Sequence, residues 1–229
     1  MRTKTILLSG VVAALSGASL MAQVYSLNVV GYINVTVPPN FSMIADQLYS
    51  VNQSTAQFVS PLLDSQLLDG AHNGVELFKY SNANGYTILI ANSTGWQGPA
   101  ATTTLNPGEA VFIYNPFPTN LTLTFVGQVP QGNLTNALFQ NFNLVSAIVP
   151  QSGALDDPAG AALVPNAGDE IFFYDPANGY QIYIASGTTG VWQKPASLPA
   201  SPTPAVGQGF FYYTSKPAGV TWTRTFSVI

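Results

Sequence analysis

The chain has 229 residues, of which 47% are hydrophobic, 12% aromatic and only 7% charged, with ten acidic side chains against six basic ones and no cysteine. The acidic balance argues against nucleic acid, whose binding needs Lys and Arg to displace counterions from phosphates, and against an anionic membrane surface. The missing thiols exclude a thiolate nucleophile and Cys-ligated zinc, and so few charges leave little repulsion between copies.

Arg2 and Lys4 precede an apolar segment from Ile6 to about Leu15, then small residues and Leu20-Met21-Ala22. A basic start, an apolar run and a small residue before the cut define a secretory signal peptide, expected here as residues 1–22. Its loss leaves four basic residues against ten acidic ones, a formal charge near −6. The mature chain is expected to carry no membrane span.

Val24 to Val37 is a long β-prone segment in which Tyr32, Asn34 and Thr36 point one way and Ile33, Val35 and Val37 the other. Gly31 within it suggests a bulge or a change of sheet. Phe41 to Ala45 begins a second strand. Gln53 to Gln66 is the best helical stretch, with Ser54 as a cap, but Pro61 limits it to a turn or two.

Next comes Leu77 to Ala91, LFKYSNANGYTILIA, whose second copy is Ile171 to Ala185, IFFYDPANGYQIYIA. Two β-prone runs joined by a loop ending in Asn-Gly predict a hairpin. The flanks repeat as well. Phe41-Ser42-Met43-Ile44 matches Phe142-Asn143-Leu144-Val145, Trp96-Gln97 matches Trp192-Gln193, and the strand Glu109 to Tyr114 matches Gln208 to Tyr213. The offset drifts from 101 at Phe41/Phe142 to 94 at the hairpin and 99 at Tyr114/Tyr213, as loop insertions in an old duplication would produce. Many short strands with Gly, Pro and Asn turns give an all-β class: two tandem related β-sandwich or barrel-like repeats with few short helical turns, residues 23–130 and 131–229. Val126-Gly127 resembles Val30-Gly31, which suggests that the strand closing the first copy also opens the second.

The segments VYSLNVVGYINVTVP, GEAVFIY, FVGQVPQG, NFNLVSAIVPQSG and VGQGFFYY and the ending RTFSV resemble a family of uncharacterised secreted proteins abundant in Verrucomicrobia and related bacteria. The resemblance covers nearly the whole mature chain. It implies a bacterial, exported, duplicated β protein and carries over no activity and no site residue.

Residues able to do chemistry are few. His72 is the only histidine, lies in a predicted loop and has no counterpart in the second copy. Glu76 and Glu170 are matched carboxylates of the kind glycoside hydrolysis uses, but a position just before a strand suits capping of turn amides or solvent exposure. Asp64, Asp69, Asp156 and Asp157 lack the spacing of a calcium loop. The aromatic residues are more informative. Trp96 and Trp192 follow the hairpin at matched positions, and Tyr86 and Tyr180 open its second strand. Such rings either cap the core of each copy, as packing would demand of a residue kept in both halves, or stack on sugar faces.

The sequence therefore predicts a secreted or cell-surface structural protein, not an enzyme, with no cofactor and no metal. Its partners would be itself or other surface proteins, with Val24 to Val37 adding as a strand to a neighbouring copy. The alternative is a carbohydrate-binding module using Trp96, Trp192, Tyr86 and Tyr180. Polysaccharide hydrolysis by Glu76 or Glu170 ranks last.

Overall fold

The computed structural model describes residues 29–50, 56–187 and 192–228. Residues 1–22, expected from the sequence to be a signal peptide, Val24 to Asn28 and Ser54 lie outside these residues. The first half runs β1 (Val30–Val37), β2 (Asn40–Ile44), α1 (Val59–Leu67), β3 (Glu76–Ser81), β4 (Gly85–Asn92), β5 (Gly95–Gln97), β6 (Val111–Asn115) and β7 (Leu121–Gln128). The second runs β8 (Gly132–Leu138), β9 (Asn141–Val145), β10 (Glu170–Asp175), β11 (Gly179–Ala185), β12 (Trp192–Gln193), β13 (Phe210–Thr214) and β14 (Val220–Phe226).

The halves share one topology. A five-stranded antiparallel sheet of order β2-β6-β3-β4-β5 recurs as β9-β13-β10-β11-β12, and a two-stranded ribbon β1-β7 recurs as β8-β14. The internal duplication and the all-β class are thus plain in the strand order. β7 pairs with β1 while the second half has its own first strand in β8, so the closing strand of the first copy does not open the second. Asn40 and Asn141, which begin β2 and β9, both adopt a φ of 73°, a left-handed conformation that asparagine tolerates better than most residues.

Burial in β1 alternates as its sequence does: Ile33, Val35 and Val37 enter the first core while Tyr32, Asn34 and Thr36 face out. The ribbon runs straight through Gly31, which pairs with Gly127. No bulge forms there. Both glycines instead make room for the segment after β2, since a β-carbon at Gly127 would stand 2.3 Å from the Tyr49 carbonyl oxygen and one at Gly31 2.6 Å from a Leu48 methyl. Val30–Val37 is thus paired along its whole length with β7 of the same chain, in a two-stranded ribbon.

Helix α1 is longer and starts later than the sequence suggests. Its N-cap is Phe58, not Ser54, and Pro61 falls in the first turn, where a missing N–H costs no helical hydrogen bond. Val59, Leu63 and Leu67 face the first core. The second core contains Leu155, Ala161 and Leu163, drawn from a run of turns with no helix.

A third apolar cluster joins the halves: Met43, Ala45, Ala110 and Phe112 of the first against Leu144 and Phe211 of the second. The junction is reciprocal. The Ala45 amide donates to Gly207 O at 2.9 Å and the Ser146 amide to Gly108 O at 3.0 Å, while Gly209 donates to Met43 O and Ala110 to Leu144 O. Each half thus completes an edge of the other's sheet. The buried Gln47 adds a crossing tie, donating to Ala147 O at 2.8 Å and accepting from the Gly207 amide at 2.7 Å. Among the described residues no helix is long and apolar enough to cross a membrane.

Candidate functional site

The strands of each five-stranded sheet are apolar on both faces. In β3, Leu77 enters the first core while Phe78 and Tyr80 face the other repeat, and in β6 Ile113 faces inward while Phe112 faces across. The second half does the same with Ile171 inside and Phe172, Tyr174 and Phe211 across. The result is an aromatic seam. Phe112 meets Tyr174 at 5.6 Å between ring centres, and the matched pair Phe211–Tyr80 lies at 5.3 Å. Within each half the spacing repeats closely: Phe41–Phe78 and Phe142–Phe172 are both 5.7 Å apart, and Tyr80–Tyr86 and Tyr174–Tyr180 lie at 5.2 and 5.3 Å. Among these, the edge-on pairs Phe112–Tyr174, Phe211–Tyr80, Tyr80–Tyr86 and Tyr174–Tyr180 are of the kind that adds about 0.5–1.5 kcal/mol each beyond the area buried.

Toward β4 and β11 the seam leaves two cavities of about 330 and 320 Å³. One is lined by Tyr80, Phe142, Phe172, Ile182 and Phe211, the other by Phe41, Phe78, Phe112 and Tyr174. Tyr86 and Tyr180 line both. Each is about half exposed, at 46% and 48%. Burial, and then the nearby Tyr180 and Tyr80 hydroxyls, push the Tyr86 phenol up to about 12. Burial, and then Tyr174, raise Tyr180 in the same sense. Both are neutral phenols at ordinary pH, offering a flat ring and one hydroxyl apiece.

The four sequence-predicted residues divide into two pairs. Tyr86 and Tyr180 meet at the seam. Trp96 and Trp192 do not join them. Trp192 is buried in the second core, and Trp96 packs against the first core with its indole N–H donating to Asp64 Oδ1 at 2.7 Å. Packing accounts for the place of both: Trp192 is enclosed, and Trp96, only partly buried, lies against the first core.

His72 and the candidate aspartates are tied up locally. His72 Nδ1 stands 2.9 Å from Asp69 in an exposed loop. Asp64 also accepts from Ser60, Asp156 from Ser201 and Asp157 from the Ala159 amide. No three His, Cys, Asp or Glu side chains stand together as a metal site among the described residues.

Sequence reasoning passed over Lys79 and the partner it gives Glu109. Lys79 Nζ lies 3.0 Å from Glu109 Oε2, which also accepts from the Asn106 amide at 2.8 Å. Burial lowers the Lys79 ammonium's proton affinity, against the pull of Glu109. Burial pushes Glu109 up, but Lys79, the Asn106 amide and Thr104 together hold it below its ordinary value. In the second repeat the matched residues are Phe173 and Gln208. Phe173 lies in the second core, and Gln208 Oε1 accepts from the Ala205 amide at 2.9 Å as Glu109 does from Asn106. The ion pair therefore has no counterpart there.

The fold and seam define a class: an all-β protein of two like repeats with tyrosine-rimmed cavities between them. Comparison with family models, curated proteins and solved structures gave no match to the chain.

Proposed function

We propose that this is a non-catalytic binding protein, exported through the leader read at residues 1–22, whose ligand seat is the aromatic seam between its repeats. It takes the ring faces of a neutral glycan. The observation that carries this reading is the sharing of both cavities by Tyr86 and Tyr180, two half-exposed phenols at matched positions. Walls of Phe and Tyr with few polar groups suit the C–H face of a pyranose, and the phenol hydroxyls suit its rim. The test is glycan binding by wild type and by Tyr86→Ala/Tyr180→Ala. Binding that the double substitution abolishes supports the reading, and absence of binding to every glycan removes it.

A second reading has its own support. The outer faces of β4 and β11 carry Ile88, Ile182 and Ile184, exposed at 47%, 36% and 41% beside the two tyrosines. An apolar strip of this kind also suits association of the protein with itself. Sedimentation of wild type and of Ile88→Lys/Ile184→Lys decides it: a dimer lost in the variant favours self-association, and a wild-type monomer at high concentration rules it out.

A further inference from the structure

The β1-β7 ribbon has one edge closed and one open. Its register decides which backbone groups point where. The Val129 amide donates to Val29 O at 2.8 Å, so Gly31, Ile33, Val35 and Val37 bond across to β7, and the backbone groups of Tyr32, Asn34 and Thr36 point away from it. On the β7 side the outward groups are taken. Gln66 of α1 accepts from the Thr124 amide at 2.7 Å and donates to Thr124 O at 3.0 Å, while Tyr49 exchanges two bonds with Gln128. On the β1 side, none of the described residues bonds the outward backbone groups of Tyr32, Asn34 or Thr36.

We infer that this open edge is where two copies of the chain join, β1 pairing antiparallel with β1 of a twin to give one four-stranded sheet, β7-β1-β1-β7. Natural sheets protect a free edge with a charge, a proline or a bulge. Val30–Val37 has no charged residue, no proline and an unbroken register. Its outer face is apolar at one end, where Val30 and Tyr32 are exposed beside Val126, the residue directly across from Tyr32. The second ribbon repeats the layout without this patch. There Asn133 and Thr225 replace Tyr32 and Val126, and they bond each other at 2.8 Å. A twin fits the edge because two like strands running antiparallel are self-complementary about a two-fold axis. Both outer edges of the joined sheet are then β7, already closed by Gln66 and Tyr49, so assembly stops at two copies. With only 7% of residues charged, little repulsion opposes the contact. The joint uses neither Tyr86 nor Tyr180 and is independent of what the seam binds.

The test combines sedimentation of the mature chain with amide hydrogen exchange followed by NMR. The expected result is a wild-type dimer in which the Tyr32, Asn34 and Thr36 amides gain protection as concentration rises, while those of Ile33 and Val35 are protected throughout. Asn34→Pro removes one outward N–H and no bond to β7, so it should weaken the dimer tenfold or more. A monomer at every concentration overturns the inference. So does a dimer that Asn34→Pro leaves at wild-type strength, or one in which those three amides gain no protection. A dimer lost in Ile88→Lys/Ile184→Lys but kept in Asn34→Pro puts the joint on the β4 and β11 faces instead, which overturns pairing through β1. Should circular dichroism show Asn34→Pro unfolded, Tyr32→Lys/Val126→Lys is read by the same criterion, since both side chains are exposed and the β1 backbone is left as it is.

Discussion

Asp169 and Tyr212 face each other inside the second repeat, the phenol donating to the carboxylate, at positions where the first repeat holds Val75 and Ile113. Asp169 also accepts from the Asn166 amide at 2.8 Å, and burial together with this carboxylate raises the Tyr212 phenol far above its ordinary range. One repeat has exchanged an apolar pair for a hydrogen-bonded one. Asp169→Val alone should cost about 1–3 kcal/mol, because the Tyr212 hydroxyl loses its acceptor in the interior. Asp169→Val/Tyr212→Phe should cost clearly less than the sum of the single changes. Urea unfolding of the four proteins checks this, and additive costs would mean that the two side chains are not coupled.

Asp46 gives a pH dependence opposite to that of a paired surface carboxylate. It is buried, with the Leu48 amide at 2.9 Å and the Gln57 side chain at 3.2 Å as hydrogen-bond partners, and burial pushes it up to about 7 from 3.8. Its folded form binds the proton more tightly than its unfolded form. Its contribution therefore favours folding at low pH and is lost as pH rises from about 4 through about 7, on the order of 4 kcal/mol in all. Asp46→Asn should gain stability relative to wild type at pH 8 and show no such gain at pH 4. Equal pH profiles for the two proteins would contradict this placement of Asp46.

Gly127 and Gly85 are glycines for different reasons. At Gly127 an added methyl group would meet the Tyr49 carbonyl at 2.3 Å, and Tyr49 is itself fixed by reciprocal backbone bonds to Gln128. Gly85 has nothing within 4 Å of a notional β-carbon and needs glycine only for its φ of 70°. Gly127→Ala should therefore cost upwards of about 2 kcal/mol, and Gly85→Ala about 1 kcal/mol. Thermal unfolding ranks the two, and the reverse order would rule out the steric argument.

Removal of residues 30–37 should unfold the first repeat, because Ile33, Val35 and Val37 belong to its core and β7 would lose its partner. Circular dichroism of the deletion protein tests this. A retained cooperative transition of wild-type amplitude would instead restore Val30–Val37 as a detachable strand.

The fold was readable in the sequence where periodicity was strong. The hairpin at Asn84-Gly85, its copy at Asn178-Gly179 and the alternation of β1 follow from local chemistry, and the structure forms all three. The helix was harder to place. Pro61 looks like a breaker until its position in the first turn is known, and that depends on the Phe58 cap and on the core beneath Val59, Leu63 and Leu67. The site was half legible. Tyr86 and Tyr180 stood out as matched aromatics, but so did the tryptophans, and nothing local tells an enclosed indole from an open one. The missed signal lay in VFIY and FFYY: strands apolar at successive positions are covered on both faces. That pattern required an aromatic layer between the repeats as well as a core within each.

The exchange of backbone bonds between residues 45 and 207 and between 146 and 108 is the kind of contact that identical subunits make about a two-fold axis. A chain carrying one repeat would offer the same lip and the same receiving loop to a twin. Fusion of the two genes would then add a tether without altering the joint. Once tethered, the sides were free to diverge, and a charged pair could arise on one of them while its mirror position became phenylalanine and glutamine.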